Sequence, residues 1–420
     1  MRYTLLLLFF PAFLQAQESF YFPPNGGSEW ATMSFSEAGM CEDNLPALMD
    51  FLVAENSKAF IVTKGGKIVI EEYFGTFTAD SLWLWNSAGK SLTSMAVGIA
   101  EQEGLLSLDD SSSDFLGEGW TTCDLADEAL ITVWNQITMT SGLDDGVDDV
   151  YCTDPECLTC LAEPGTRWAY HNGPYTMLDG VLSASSGTNL NLFIFNRISQ
   201  PIGMTGLFLP FGYNRVFVSK ARDMARFGSL ALRGGEWNGT QILNAQYAYD
   251  MVHPSQSLNP SYGYLWWLNG QSSYMLPGFQ FNVPGPTMPN APADAYAALG
   301  KDSQVVLVVP SLDMVIIRMG DSPDGSAVST QFADDMWVLV EDLFCVNVAE
   351  EVATPLEVFP NPAQDRIEIQ GNKSITPFAV YATSGQLLIS GKGRVVELST
   401  LSSGIYILES NGRRARFVVQ

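Results

Sequence analysis

The chain has 420 residues, 46% of them hydrophobic, and a formal net charge of −25. That length and apolar content describe a globular protein of more than one domain and exclude a disordered chain. The acidic balance, with no basic block, argues against binding nucleic acid or anionic membrane by charge, and two histidines nearly exclude a zinc hydrolase built from several histidine ligands.

Residues 1–16 carry Arg2, the apolar run Leu5 to Phe10 and the ending Leu14-Gln15-Ala16. This is the pattern of a secretory signal peptide with cleavage after Ala16. The run is too short for a membrane span, and no other segment reaches about 18 apolar residues. Export gives the six cysteines, Cys41, Cys123, Cys152, Cys157, Cys160 and Cys345, an oxidising setting that favours disulfides. Composition alone leaves about 15 pairings open. Cys157 and Cys160 have C-x-x-C spacing, but no second ligand pair or thioredoxin-like surroundings accompany them.

Ala59–Val62 and Lys67–Tyr73 flank Gly65-Gly66 and predict a β-hairpin. Next comes Trp85-Asn86-Ser87-Ala88-Gly89-Lys90, which holds the one S-x-x-K of the chain. Leu92, Met95, Ala96, Ile99 and Ala100 then recur at helical spacing, and Gly104 ends the run. Ser87 and Lys90 thus share a helix face near its N-terminus. A serine needs a base to become nucleophilic, and a desolvated, partly neutral lysine can be that base. Positive charge at the helix start favours a developing oxyanion.

Thr132–Thr138 and Met177–Ser186 read as further helical pieces. The acidic stretch 142–149 reads as a solvated loop, because its spacing does not match an EF-hand. Tyr170-His171-Asn172 is the one Y-x-N. It offers a proton-relaying phenol that a nearby lysine would make more acidic, and an amide for a substrate carbonyl or N–H. Val216–Arg233 reads as a helix ending at Gly234-Gly235, and Tyr262–Trp267 as aromatic core filling. Lys301-Asp302-Ser303-Gln304 leads into Val305–Val309, which forms a hairpin with Met314–Met319. Val338–Phe344 reads as the end of a closing helix.

Ser87-x-x-Lys90, Tyr170-x-Asn172 and Lys301-Asp302-Ser303 stand in the order seen in serine β-lactamases and penicillin-binding proteins. The chain resembles their class C-like, esterase-like branch over residues 40 to 345. Met139–Leu143, Ser219–Ala225 and Val309–Asp313 are also similar to this branch. The resemblance implies an α+β fold: a mainly antiparallel sheet from both chain ends, with an inserted helical domain. It implies that Ser87 forms an acyl-enzyme and that Lys90 and Tyr170 handle protons. The N–H groups of Ser87 and Gln304 would hold the oxyanion, with Asn172 and Lys301 on the substrate. His171 would orient its turn. It further implies that Cys41 pairs with Cys345, leaving the other four cysteines to pair among themselves. The third element is usually K-T-G. Asp302 stands where the carboxylate-binding threonine would be, which weighs against a β-lactam or D-alanyl substrate.

After an acidic linker, 346–354, a P-N-P opening and short alternating runs follow at 366–369, 378–381, 387–389, 404–408 and 416–419. They predict a small β-sandwich. Residues 355–420 resemble the C-terminal sorting domain of the type IX secretion system, through Tyr381–Leu387 and Leu401–Tyr406. This implies passage across the outer membrane, and the type IX machinery as a partner. The expected domains are a signal peptide (1–16), a serine hydrolase domain (17–345), the linker and the sorting domain. The expected function is an exported hydrolase that cleaves a small ester or amide through acyl-Ser87, with no metal or cofactor. A D-amino-acid peptidase, a true β-lactamase and a penicillin-recognising protein without catalysis are the alternatives.

Overall fold

The computed structural model describes residues 20–322, 330–345, 356–369, 376–382, 386–410 and 413–420. The expected signal peptide and linker lie outside the described residues. The chain divides into two compact units, Met1–Cys345 and Val346–Gln420. Among the described residues no helix is long and apolar enough to cross a membrane.

Strands of the first unit include β1 (Ser57–Lys64), β2 (Lys67–Tyr73), β3 (Leu207–Phe211), β4 (Asn214–Ser219), β5 (Trp267–Leu268), β6 (Tyr296–Gly300), β7 (Gln304–Val309) and β8 (Met314–Gly320). Its longer helices are α1 (Leu45–Ala54), α2 (Gly89–Gln102), α3 (Leu178–Ser186), α4 (Ala221–Leu232) and α5 (Thr330–Glu341). Six strands form one antiparallel sheet in the order β2-β1-β8-β7-β6-β5. The sheet therefore joins both ends of the unit, and α2 and α3 fall in the stretch between. Every residue of β7 and β8 is buried. Both faces are covered, so apart from Gln304 and Arg318 these runs are apolar without alternation. Helix α4 provides one cover, where Gly228 lies so close to Val315 and Val306 that a β-carbon would sit 2.5 Å from Val315 Cγ1.

The predicted hairpins form, with two differences. Val216–Ser219 is strand, not helix. Its β-branched residues pair with β3 on one side and with Trp83–Leu84 on the other, and β-branched runs fit a pleated surface better than a helix. Helix α4 begins only at Ala221, where Lys220 is still extended and the Asp223 carboxylate accepts its N–H at 3.1 Å. The second difference is β6, which the sequence reading passed over. It places Lys301–Ser303 in the turn of a β6–β7 hairpin rather than at a free strand entrance.

Three disulfides join Cys41–Cys345, Cys123–Cys160 and Cys152–Cys157. The first is the pairing implied by the resemblance. It lies beside the ends of α1 and α5, which meet through Phe51 and Phe332 with ring centroids 5.4 Å apart. The C-x-x-C cysteines belong to different bridges, so their spacing is not a redox pair.

The second unit holds β9 (Val358–Phe359), β10 (Arg366–Ile369), β11 (Thr376–Ala382), β12 (Leu387–Gly393), β13 (Val395–Glu397), β14 (Gly404–Ser410) and β15 (Arg413–Val419). They form two sheets, β9-β10-β13 and β12-β11-β14-β15. Ile367, Ile369, Val380, Val396, Leu408 and Phe417 fill the core. This is the predicted small sandwich.

Candidate active site

Helix α2 is buried on all sides from Gly89 to Ala100 and runs through the interior, carrying Lys90, Ser91, Thr93 and Ser94 among its apolar residues. Ser87 precedes it, in a 3₁₀ turn over Asn86–Ala88. Asn86 takes a left-handed φ of 47°. The pair expected on one helix face is thus a turn residue and a helix residue, and it still meets: Lys90 Nζ donates to Ser87 Oγ at 3.0 Å.

Lys90 is 2% exposed. Burial pulls its ammonium down to about 7, because a charged group loses hydration there. Its Nζ lies 4.4 Å from the Tyr175 ring centroid and 5.2 Å from that of Tyr170. Those faces stabilise the cation, but desolvation prevails. Tyr175, which carried no signal in the sequence, is fixed by a 3.1 Å hydrogen bond between its hydroxyl and Thr93 Oγ1.

Ser87 acts on the Tyr170 hydroxyl to lower its pKa, but burial, the larger effect, raises it. The expected direction, a tyrosine made more acidic by the lysine, is therefore reversed. A lysine that is itself half neutral supplies little positive charge. Tyr170 stacks on Trp267 at 5.9 Å and meets Tyr262 edge-on at 6.3 Å. The aromatic run read as core filling is buried, and it also forms the wall behind Tyr170.

His171 is buried with neither ring nitrogen hydrogen-bonded among the described residues. Burial lowers its pKa to about 4, against the opposing pull of Asp145 and Asp144, so it is neutral at pH 7. Asn172 is 5% exposed, with Oδ1 unpartnered among the described residues. The acidic loop is not merely solvated, since Asp145 is ion-paired with Arg167 and faces Ser87 across a recess.

The opposite wall is the β6–β7 turn. Gly300 lies against the Ser87 turn, where a β-carbon would come within 2.3 Å of the Trp85 carbonyl oxygen. Asn86 Nδ2 donates to the Lys301 carbonyl at 2.8 Å and ties the two walls together. Asp302 and Ser303 are both left-handed, with φ of 59° and 55°. Such a turn normally takes Asn-Gly, and each non-glycine residue in this region costs roughly 1–2 kcal/mol. The Gln304 side chain donates to the Asp302 carbonyl at 2.9 Å and to that of Gly320. It accepts from the Gly320 N–H at 3.1 Å. Arg318, 0% exposed, spends all its N–H groups inside. Nε donates to Ser57 Oγ, Nη1 to the Asp302 and Ser303 carbonyls at 2.7 and 3.1 Å, and Nη2 to the Glu55 and Asp321 carbonyls. Burial lowers its pKa to about 10, so it stays charged at neutral pH. Gly300 and Arg318 were missed in the sequence. Their partners are backbone atoms far along the chain, and such contacts leave no spacing to read.

All six sequence-predicted positions converge. Ser87, Tyr170, Asn172 and Lys301 line one recess of about 270 Å³. Lys90 lies beneath Ser87, and Gln304 is the residue paired with Gly300 at the start of β7. The arrangement sets a serine hydroxyl against a buried lysine amine, with a phenol beside them and a turn whose carbonyls are held inward.

A protein of Bacillus anthracis described as a 6-aminohexanoate-dimer hydrolase is 18% identical, with a TM-score of 0.57 over 76% of this chain and 89% of its own. A D-stereospecific amidohydrolase from Streptomyces sp. is 15% identical, with a TM-score of 0.52 over 73% of this chain and 99% of its own. A family VIII carboxylesterase is also 15% identical, with a TM-score of 0.52 over 73% of this chain and 98% of its own. At these identities the likeness is one of fold. No curated protein sequence matches the chain. Residues 357–420 match the secretion system C-terminal sorting domain. Residues 49–330, more than half of the chain, match the beta-lactamase family, and with the sheet and site described above they establish that the chain belongs to it.

Proposed function

We propose that this protein is an exported serine hydrolase that cleaves an ester or amide through an acyl-Ser87 intermediate. The observation that carries the reading is the 3.0 Å contact between Ser87 Oγ and a buried Lys90 whose pKa is lowered to about 7. A lysine so placed is neutral for half of the molecules at pH 7 and can accept the serine proton.

In the proposed reaction Ser87 Oγ bonds to the substrate carbonyl carbon as its proton passes to Lys90. The carbonyl electrons move onto oxygen, where the N–H groups of Ser87 and Gln304 stabilise them. The intermediate collapses, and the leaving group departs with the proton, delivered from Lys90 through the Tyr170 hydroxyl. Tyr170 stays protonated between turnovers because burial raises its pKa, so it relays protons and is not the resting base. Water then attacks the acyl-enzyme by the same route in reverse, which frees the acid and restores Ser87.

Asp302 in a left-handed turn supports esters and neutral amides over substrates recognised by a carboxylate, as does the absence of a hydroxyl residue next to Lys301. The hydrolase and sorting roles are assigned to residues 17–345 and 355–420. The sorting-domain match supports delivery by type IX secretion to the surface or the medium. Exposure of the protein to a fluorophosphonate, followed by peptide mass spectrometry, tests the nucleophile. Label on Ser87 supports the reading, and label elsewhere or none contradicts it.

A further inference from the structure

Two recesses open from Ser87. The first, about 270 Å³, is lined by Asp145, Val150, Tyr170, Asn172 and Pro277. The second, about 320 Å³, is lined by Leu84, Asn86, Phe211, Asn214, Val216 and Asp302. Ser87, Tyr151 and Lys301 belong to both. Tyr151 thus stands with Ser87 and Lys301 where the two recesses meet. It sits next to the Cys152–Cys157 bridge, and the Val150 carbonyl accepts the Gly173 N–H at 2.9 Å. These contacts brace the loop that carries the ring.

Proton delivery fixes which part of a substrate enters which recess. The leaving group must lie beside the hydroxyl that protonates it, and Tyr170 lines the first recess. The acyl group then extends into the second. Each asparagine of that second recess has one end of its amide engaged. Asn86 donates to the Lys301 carbonyl, and Asn214 Oδ1 accepts from the Arg215 N–H at 2.8 Å. The apolar part of the lining is Leu84, Val216 and Phe211, and Phe211 is 60% exposed. At about 30 Å³ per water molecule, the second recess has the room of several carbon units. An acyl chain there covers Phe211 and removes apolar area from water. A carboxylate on that chain would meet Asp302 as well as Lys301, so it would lose hydration there with no net attraction to offset the loss. The first recess offers Asn172 Oδ1, a buried acceptor lacking a donor among the described residues, which a leaving-group N–H or O–H would satisfy.

Building on the acyl-Ser87 reading, we propose that the substrates are uncharged, medium-length apolar acyl groups joined to a hydrogen-bonding alcohol or amine, with Phe211 and Tyr151 setting the acyl preference. The test uses the full chain and p-nitrophenyl esters of acetate, butyrate and hexanoate, with the half-ester of adipate as an anionic counterpart. The expected kcat/KM rises about tenfold or more from acetyl to hexanoyl, as each buried CH₂ contributes about 0.8 kcal/mol. The adipate half-ester falls well below hexanoate. Phe211→Ser, at an exposed position, reduces the hexanoyl-to-acetyl ratio several-fold, and Tyr151→Ala does the same. A flat or falling series, equal use of the adipate half-ester, or an unchanged ratio in both variants overturns the proposal. Mass spectrometry of acyl-Ser87 in the same reactions separates the two levels. Acylated Ser87 with a flat series defeats the acyl preference alone, whereas turnover without Ser87 acylation defeats the nucleophile assignment and this inference with it.

Discussion

The two walls of the site are held by opposite means. The Ser87–Lys90 wall is fixed by apolar burial: a helix sunk in the core, a lysine enclosed by Tyr170 and Tyr175, and aromatic rings stacked behind. The Lys301–Gln304 wall is fixed by polar saturation. Two left-handed residues there are held because Arg318 and Gln304 bind their carbonyls from inside. In the proposed function the first wall makes a lysine reactive by denying it water. The second keeps a charged arginine inert by satisfying every one of its donors. A buried cation with five carbonyl and hydroxyl acceptors is structural, and one facing a single serine hydroxyl is chemical.

The comparison breaks most completely at the first wall. Ser87→Ala and Lys90→Ala should each reduce turnover by about 10⁴-fold or more, as expected for residues acting as one unit. The double variant should be no worse than either single one. Additive losses, measured as steady-state rates above the uncatalysed reaction, would show that Lys90 acts apart from Ser87. Tyr170→Phe is expected to lose about 10²–10³-fold through impaired proton delivery.

The second wall gives the next largest effect. Arg318→Gln should destabilise by about 3–5 kcal/mol, since it strips buried carbonyls of a charged partner. In protein that remains folded, kcat should drop about 10²-fold with KM little changed, because an oxyanion site is used only in the transition state. Arg318→Lys should recover stability partly and kcat hardly at all, since one ammonium cannot reach acceptors spread over two strands and a turn. A matching rise in KM would instead make Arg318 a part of substrate binding.

This contrast also explains what the sequence disclosed. Ser87, Lys90, Tyr170 and Asn172 were legible because their spacing is local and their residue types are chemically distinctive. The sheet was legible where apolar runs flank turn residues, as at β1–β2 and β7–β8. The Val216 run was misread because strand pairing with residues 207–211 and Trp83–Leu84 overrides helical periodicity. Strand β6 escaped notice because Tyr296-Ala297-Ala298-Leu299 has weak strand character of its own. Arg318 looked like an interruption in an apolar strand. The direction of the Tyr170 shift depends on desolvation by Trp267 and Tyr262, which lie about ninety residues away.

Smaller effects separate the frame from the site. Replacing Cys41 and Cys345 with serine opens a loop with a sequence separation of 304. In the chain-entropy picture this lowers stability by up to about 5 kcal/mol, with turnover at 25 °C retained. Thermal melting and steady-state rates measured together check it, and a matching loss of rate would link the bridge to the site. Removing residues 346–420 should leave turnover of the purified protein unchanged, since the first unit has a core of its own. Its export should fail, with the protein held in the periplasm. A folded truncation with reduced turnover would give the sorting domain a part in catalysis.

The central claim is that burial makes Lys90 the base. Its pKa falls from 10.5 to about 7, so the neutral form grows as pH rises through 7. Between those values the unfolded chain binds the proton that the folded chain releases, so this group's contribution makes stability rise with pH over that window. The direct measurement is the rate of Ser87 acylation, followed from pH 5 to 9 in wild type and His171→Gln. The rate should climb tenfold per pH unit below about 7 and level off above it, with the same midpoint in the variant. A midpoint near 4, or one that disappears with His171, would contradict the assignment and give the proton to the histidine.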